Sequence, residues 1–243
     1  MNAPSPPLSI GLSVVMPLYN EGARITGNVE QTLNVLRMLG TFEIILVNDG
    51  SSDNSAEEIA RLRQKFPGEI ISLDLPRSGK GEALRQGAQA ARGEFVVFLD
   101  ADLDLPPEQI LFFVAIQRVK KADAVIGSKM HPDSTVDYPL IRRIYSLGYF
   151  WLVKMLFGLP VRDTQTGLKL VRRDLLVRAL DKTECRGFAL DLELLVRLVQ
   201  LGAVMVEAPV VVSHSIKFGG IGLPVVWQIF RDTFQTWRRV QKK

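Results

Sequence analysis

Glu94-Phe95-Val96-Val97-Phe98-Leu99-Asp100-Ala101-Asp102-Leu103-Asp104 is an apolar run that stops abruptly in three alternating carboxylates. Glu94 to Leu99 has the length and character of a strand. Upstream, the same arrangement occurs three times. Ser13-Val14-Val15-Met16 is a strand closed by Pro17, Glu43 to Val47 is a strand with unbroken apolar character, and Ile70 to Leu75 is a third. Helical patterns separate them: Ile25 to Leu39, Ser55 to Lys65 with Asp53 as the expected N-cap, and Gly81 to Ala91. A helix from Pro107 to Val119 and a strand from Ala124 to Gly127 continue the series. Strands and helices alternating at this spacing predict an α/β fold, a mostly parallel central sheet flanked by helices.

Downstream the pattern is less regular. Leu140 to Phe157, Asp174 to Leu180, Leu190 to Leu201 and Leu223 to Val240 read as helices, and Leu168 to Val171 and Val204 to Val212 as strands. Residues 1–12 form an N-terminal tail, 13–220 one domain and 221–243 a C-terminal amphipathic basic helix. There is no internal repeat or low-complexity tract.

Composition narrows the chemistry. With 243 residues, 47% hydrophobic and 23% charged, the chain is an ordinary folded protein with one good core. The net charge of +4 allows an anionic partner without naming one. The single cysteine, Cys185, excludes an internal disulfide and a multi-cysteine zinc site, which suits a reducing cytoplasm. With only His131 and His214, a histidine-rich cage is also excluded, so any metal is a hard, oxygen-ligated ion. Met1 to Pro7 lacks a basic segment and an apolar run, and no stretch reaches the ~20 apolar residues of a membrane span.

Ligands of an open parallel sheet bind at the carboxyl ends of its strands, and each of those ends carries polar groups here. They are Pro17-Leu18-Tyr19-Asn20-Glu21, Asn48-Asp49-Gly50-Ser51-Ser52-Asp53, Arg77-Ser78-Gly79-Lys80-Gly81 and Asp100-Ala101-Asp102-Leu103-Asp104. Three carboxylates at alternate positions repel one another, and a divalent ion such as Mg²⁺ or Mn²⁺ removes that penalty. Such an ion bridges carboxylates to a diphosphate leaving group. A solvated acidic turn capping the Pro106-Pro107 helix is the plainer alternative, disfavoured by the polar loops beside it. Lys80 suits a phosphate or the acidic cluster, Tyr19 can stack on a base, and Asp49 can accept from a base or ribose edge.

These motifs resemble the signature of family 2 glycosyltransferases with the GT-A fold. Gly79-Lys80-Gly81, Gly127-Ser128-Lys129 and Asp163-Thr164-Gln165-Thr166-Gly167-Leu168-Lys169 resemble the dolichyl-phosphate and polyprenyl-phosphate hexose synthases, in particular the dolichyl-phosphate glucosyltransferase branch. The resemblance runs from about Ser13 to about Gly220. It implies that Pro17, Tyr19, Glu21, Val47 and Asp49 hold the base and ribose, with Lys80, Asp100, Ala101 and Asp102 at the nucleotide-sugar. It assigns Asp100, Asp102 and Asp104 to catalysis, the last two as metal ligands. Relatives carry an arginine where Lys129 stands, and lysine keeps the charge without the bidentate fork.

The expected activity is inverting transfer of glucose or mannose from UDP-glucose or GDP-mannose to a polyprenyl or dolichyl phosphate. A phosphate acceptor needs cations and no strong base; Lys129, Arg142, Arg143, Arg162 and Lys217 are the candidates, of which the resemblance favours Lys129, Arg143 and Lys217. A glycan or small-molecule hydroxyl acceptor instead needs a carboxylate base, for which Asp163, Asp191 and Glu193 are available. A nucleotide-sugar-binding protein without turnover is the third reading. Nucleic acid is not an expected partner. Ile144 to Leu159 is aromatic and apolar, and Leu223 to Val240 sets Val226, Ile229, Phe230, Thr233, Phe234 and Trp237 at helical spacing before a basic end. That pattern suits a helix on the cytoplasmic face of a membrane, or equally one packed on the core or on a second copy of the chain.

Overall fold

The computed structural model describes residues 11–136, 140–185, 189–213 and 223–241, with backbone alone for 140–145 and 223–229. The chain alternates β1 (Leu12–Leu18), α1 (Ile25–Leu36), β2 (Phe42–Asp49), α2 (Ser55–Lys65), β3 (Ile70–Leu75), α3 (Lys80–Ala90), β4 (Phe95–Phe98), α4 (Gln109–Lys120) and β5 (Ala124–Ser128). It continues through α5 (Leu140–Phe157), β6 (Lys169–Arg172), α6 (Arg173–Asp181), α7 (Leu190–Gln200), β7 (Met205–Pro209) and α8 (Leu223–Gln241). These form one seven-stranded sheet in the order β3-β2-β1-β4-β6-β5-β7.

Unbroken apolar strands make the centre. On β1 and β2, Val14, Met16, Ile44 and Leu46 point to one face and pack with α1, α2 and α4. Val15, Ile45 and Val47 point to the other, against α3, α6 and α7. Close approach of α3 requires a glycine, because a Cβ on Gly87 would sit 2.3 Å from Val15 Cγ1.

Two expectations change. Pro17 does not close β1, which runs to Leu18. Val15 directs its carbonyl to Leu99 N–H of the β4 side at 3.1 Å, and Pro17 has the same parity. Pairing with β4 ends at Val15, so the donor that proline lacks falls where no ladder bond is needed. The sheet is mostly parallel, as expected, with β6 running antiparallel to both β4 and β5. Strand β5 ends at the ligand edge, and the chain re-enters the sheet from that same edge, so β6 runs backwards. Finally, the N-cap of α2 is Asn54, without a side-chain cap bond. Asp53 still serves the helix end, its Oδ1 accepting from Ser55 N–H at 3.0 Å, while its Oδ2 accepts from Gly22 N–H across the loop at 3.0 Å.

Helix α8 divides the two readings of its apolar stripe. Thr233 and Thr236 are fully buried, and Thr233 Oγ1 lies 3.1 Å from Tyr149 Oη of α5. Phe230 and Phe234 face outward. The helix is therefore anchored on protein by small polar residues and presents aromatic ones away from it. Val226 and Ile229 lie outside the described side chains.

Candidate functional site

The loops at the carboxyl ends of β1 to β4 are sewn to one another. Asn20, in the left-handed region at φ 57°, accepts from Ser52 N–H through Oδ1 at 2.8 Å and donates its own N–H to Ser51 Oγ at 3.0 Å. Glu21 N–H donates to Ser55 Oγ at 2.9 Å. These bonds join the first loop to the second. Asp49 joins the second to the third: its carboxylate accepts from Ser78 N–H at 2.7 Å, Ser78 Oγ at 2.9 Å and Gly79 N–H at 3.0 Å, and pairs with the Arg77 guanidinium. Lys80 Nζ joins the third to the fourth, 2.5 Å from Asp100 Oδ1. Asn28 Nδ2 holds the fourth loop from α1, donating to Ala101 O at 2.7 Å.

Pro17, Leu18, Tyr19, Glu21, Asp49, Arg77, Lys80, Asp100, Ala101 and Asp102 thereby surround one open pocket of about 260 Å³. Of the nucleotide-binding set expected from sequence, only Val47 does not line it. Val47 is fully buried and faces α3, 3.0 Å from where a Cβ of Gly87 would lie. Its part is to seat the helix under the third loop.

The acidic loop is bent to bring its carboxylates round. Leu103 takes φ 53°, a conformation costly for a branched side chain, and its burial in the core holds it there. Asp102 Oδ1 accepts from Asp104 N–H at 3.2 Å, and Asp104 O accepts from Ser213 N–H at 2.9 Å. Burial, then the charge of Asp102, push the Asp104 carboxyl above the usual carboxylate range; Lys129 opposes them, Asp100 adds to them and Arg24 opposes. Burial works against the Lys80 ammonium, yet Asp100, Asp191 and Asp102 hold its pKa above the ordinary lysine value. A cation between Asp102 and Asp104 would relieve this repulsion, so the donor set fits a hard divalent ion. Among the described residues no three His, Cys, Asp or Glu side chains converge as a metal cage. The fit is to a two-carboxylate site completed by phosphate oxygens and water, the usual habit of Mg²⁺.

The loop before β6 enters the same edge. Asp163 accepts from Lys129 N–H at 3.0 Å, Gln165 N–H at 2.9 Å and Thr166 Oγ1 at 2.5 Å, which ties the β5 end to the β6 start. Gly167 backs Asp100 so closely that a Cβ there would lie 2.1 Å from Asp100 Oδ2. Gly167→Ala is accordingly expected to displace Asp100 and break its pair with Lys80. Steady-state kinetics would show a loss of roughly 10²-fold in kcat/KM, the scale set by ångström-sized misplacement, with thermal stability little changed.

The three candidate bases part company. Asp191 Oδ1 lies 2.7 Å from the Nζ of Lys169, a lysine only 1% exposed, which also donates to Thr166 O. Asp163 is engaged as described. Glu193 is a correction to the sequence reading, being fully buried away from solvent. It accepts from Arg197 at 3.2 Å and from the N–H groups of Glu184 and Cys185 at 3.3 and 3.0 Å, with Arg239 of α8 3.6 Å away. A carboxylate so committed is a structural anchor and not a base. The charge of Lys129 acts on Asp104, whereas the Arg143 side chain and Lys217 fall outside the described residues.

Arg77, Gly167 and Asn28 were not assigned roles from sequence. Each acts by reaching a partner far along the chain, and no local pattern announces such a contact.

Residues 13–178 match the description Glycosyl transferase family 2. The chain belongs to that family. It is similar to a dolichyl-phosphate beta-glucosyltransferase of Trichomonas vaginalis, 32% identical over 215 residues, covering 84% of this chain and 66% of that protein. Similarity to the dolichyl-phosphate beta-glucosyltransferase of Drosophila melanogaster is 30% over 249 residues, covering 95% and 76%. The chain thus spans just under two thirds of the first relative and about three quarters of the second. Among solved structures, glucosyl-3-phosphoglycerate synthase from Mycobacterium tuberculosis, in complex with Mn²⁺, uridine diphosphate and phosphoglyceric acid, shares the fold at a TM-score of 0.69 and 22% identity, over 95% of this chain and 78% of that one.

Proposed function

We propose that this chain transfers a hexose, glucose in the first instance, from a nucleoside diphosphate sugar to a polyprenyl phosphate at a membrane surface. The observation that carries the reading is the pocket of four interlocked loops, with Tyr19 and Asp49 at one end and Asp100 and Asp102 at the other. The first end suits a base and ribose, the second a sugar diphosphate. The names of the relatives at about 30% identity favour glucose and a dolichyl phosphate acceptor.

Asp102 and Asp104 would hold Mg²⁺ or Mn²⁺, which would neutralise charge on the departing diphosphate. Lys80 steadies Asp100 against the donor and adds positive charge beside the leaving phosphates. An oxygen of the acceptor phosphate forms the bond to the anomeric carbon. The bond to the nucleoside diphosphate breaks on the opposite face, so configuration inverts. An ionised phosphate has no proton to lose, so no base is required. This agrees with Asp163 and Glu193 being spent on structural bonds. Lys129, whose charge acts on Asp104, is the described cation assigned to the acceptor phosphate.

Two surfaces support work at a bilayer. Leu147, Trp151 and Met155 form a stripe at four-residue spacing along α5, all at least half exposed or nearly so. On α8, Phe230 and Phe234 flank a groove of about 420 Å³ shared with Leu152 and Leu156, rimmed by Arg231 and Arg238. Exposed aromatics beside arginines suit an interface with anionic headgroups. Among the described residues no helix is long and apolar enough to cross a membrane.

The test is transfer from radiolabelled UDP-glucose, GDP-mannose and UDP-N-acetylglucosamine to polyprenyl phosphate in vesicles, with Mg²⁺ or Mn²⁺ and with chelator. Product from UDP-glucose that chelation abolishes is expected. Transfer to sugar or phosphoglycerate hydroxyls but not to polyprenyl phosphate would overturn the acceptor assignment.

A further inference from the structure

One contact in the pocket has no place in the transfer chemistry. The Arg77 guanidinium lies over the Tyr19 ring, 3.6 Å from its centroid, and donates to the Asp49 carboxylate. A planar group stacked on Tyr19 and giving N–H to Asp49 makes the same two contacts that a nucleobase would make there. Guanidinium and base are both flat, both bear in-plane N–H donors, and they compete for one aromatic face.

We propose that Arg77 is a built-in occupant of the nucleobase niche, which the donor's base must displace. The inference rests on the nucleotide-sugar reading of the pocket. Three features make the exchange inexpensive. The Arg77 side chain is 54% exposed, so its head moves out without leaving a void. Its backbone stays fixed, because Gly50 at φ 66° lets it approach so closely that a Cβ on that glycine would lie 2.6 Å from Arg77 N. Asp49, although buried, retains the N–H groups of Ser78 and Gly79 and the Ser78 hydroxyl when the guanidinium leaves. The entering base replaces both lost contacts if it stacks and presents a ring N–H, as uracil and guanine do. Cytosine and adenine set a ring acceptor at the equivalent edge and would face a carboxylate with no proton between them. Displacement thereby favours uridine and guanosine donors and keeps the carboxylate and ring covered between turnovers.

A niche that is self-occupied most of the time weakens apparent affinity by the fraction unoccupied. Removing the occupant should therefore tighten binding. Isothermal titration of UDP with Mn²⁺ into the intact chain, Arg77→Ala and Arg77→Met reads this directly. Both variants are expected to bind UDP roughly three- to tenfold more tightly than the unaltered chain. The methionine keeps an aliphatic stem against Tyr19 and guards against collapse of the loop in the alanine variant. Unchanged or weaker binding by both variants, with the unaltered chain binding UDP, overturns this inference alone and makes Arg77 a supporting wall of the site. An unaltered chain that binds neither UDP nor GDP overturns the nucleotide reading and this inference with it.

Discussion

Asp102→Asn is expected to lower kcat/KM for hexose transfer by at least ~10²-fold, a loss on the order of 3 kcal/mol in transition-state stabilisation. The asparagine keeps the size of the side chain, and its carbonyl still accepts from Asp104 N–H, now 3.2 Å from Asp102 Oδ1. The loop geometry is therefore retained and the missing quantity is charge. With Asp102 neutral, one of the two leading influences that raise the Asp104 carboxyl disappears, so Asp104 moves back toward an ordinary carboxylate. A second readout follows from that. Mn²⁺ should raise the melting temperature of the unaltered chain, because an ion that binds the folded state alone stabilises it. In Asp102→Asn the increment should shrink or vanish. Full activity together with an undiminished metal-induced shift would remove Asp102 from the ligand set.

Glu193→Ala should do the reverse, sparing chemistry and costing stability. Glu193 and Arg197 are 0% and 2% exposed, and α8 reaches the same carboxylate through Arg239. Deleting the carboxylate strands a buried guanidinium and unbonds two N–H groups, a change worth about 3–5 kcal/mol. For a domain of this length that lowers the melting temperature on the order of 10 °C. Glu193→Gln keeps an acceptor for the N–H groups of Glu184 and Cys185 and should lose less. Transfer measured well below the melting point should persist in both. A stable Glu193→Ala protein without activity would return this residue to the role of base.

The parts of this molecule written in local pattern were legible beforehand. Apolar runs of strand length, each halted by polar residues, located β1 to β4, and with them the edge where the pocket lies. The acidic triplet marked its own place, at the end of β4 and on the wall of the pocket, through its alternate spacing. What escaped depended on contacts distant in the chain. Nothing about Glu193 in sequence separates it from Asp191 two residues earlier, yet one is sealed against Arg197 and the other faces Lys169 beside the pocket. Half a helical turn decides it. The direction of β6 was hidden as well, because a four-residue apolar strand carries no mark of which way it runs. Arg77 looked like one more loop cation until Tyr19, 58 positions earlier in the chain, was found beneath it.

The reversed strand has a consequence for how such a protein can diverge. Loops that follow parallel strands are bound to one another, Asp49 to Ser78 and Lys80 to Asp100, so an alteration in any of them is felt by all. Running backwards, β6 delivers its preceding loop, residues 163–168, to that edge as a separate insert. Its main ties to the first four strands are the backing of Asp100 by Gly167 and, through β6, the ladder with β4. The loop before β6 can thus be rewritten while the bonds that tie the loops after β1 to β4 stay as they are.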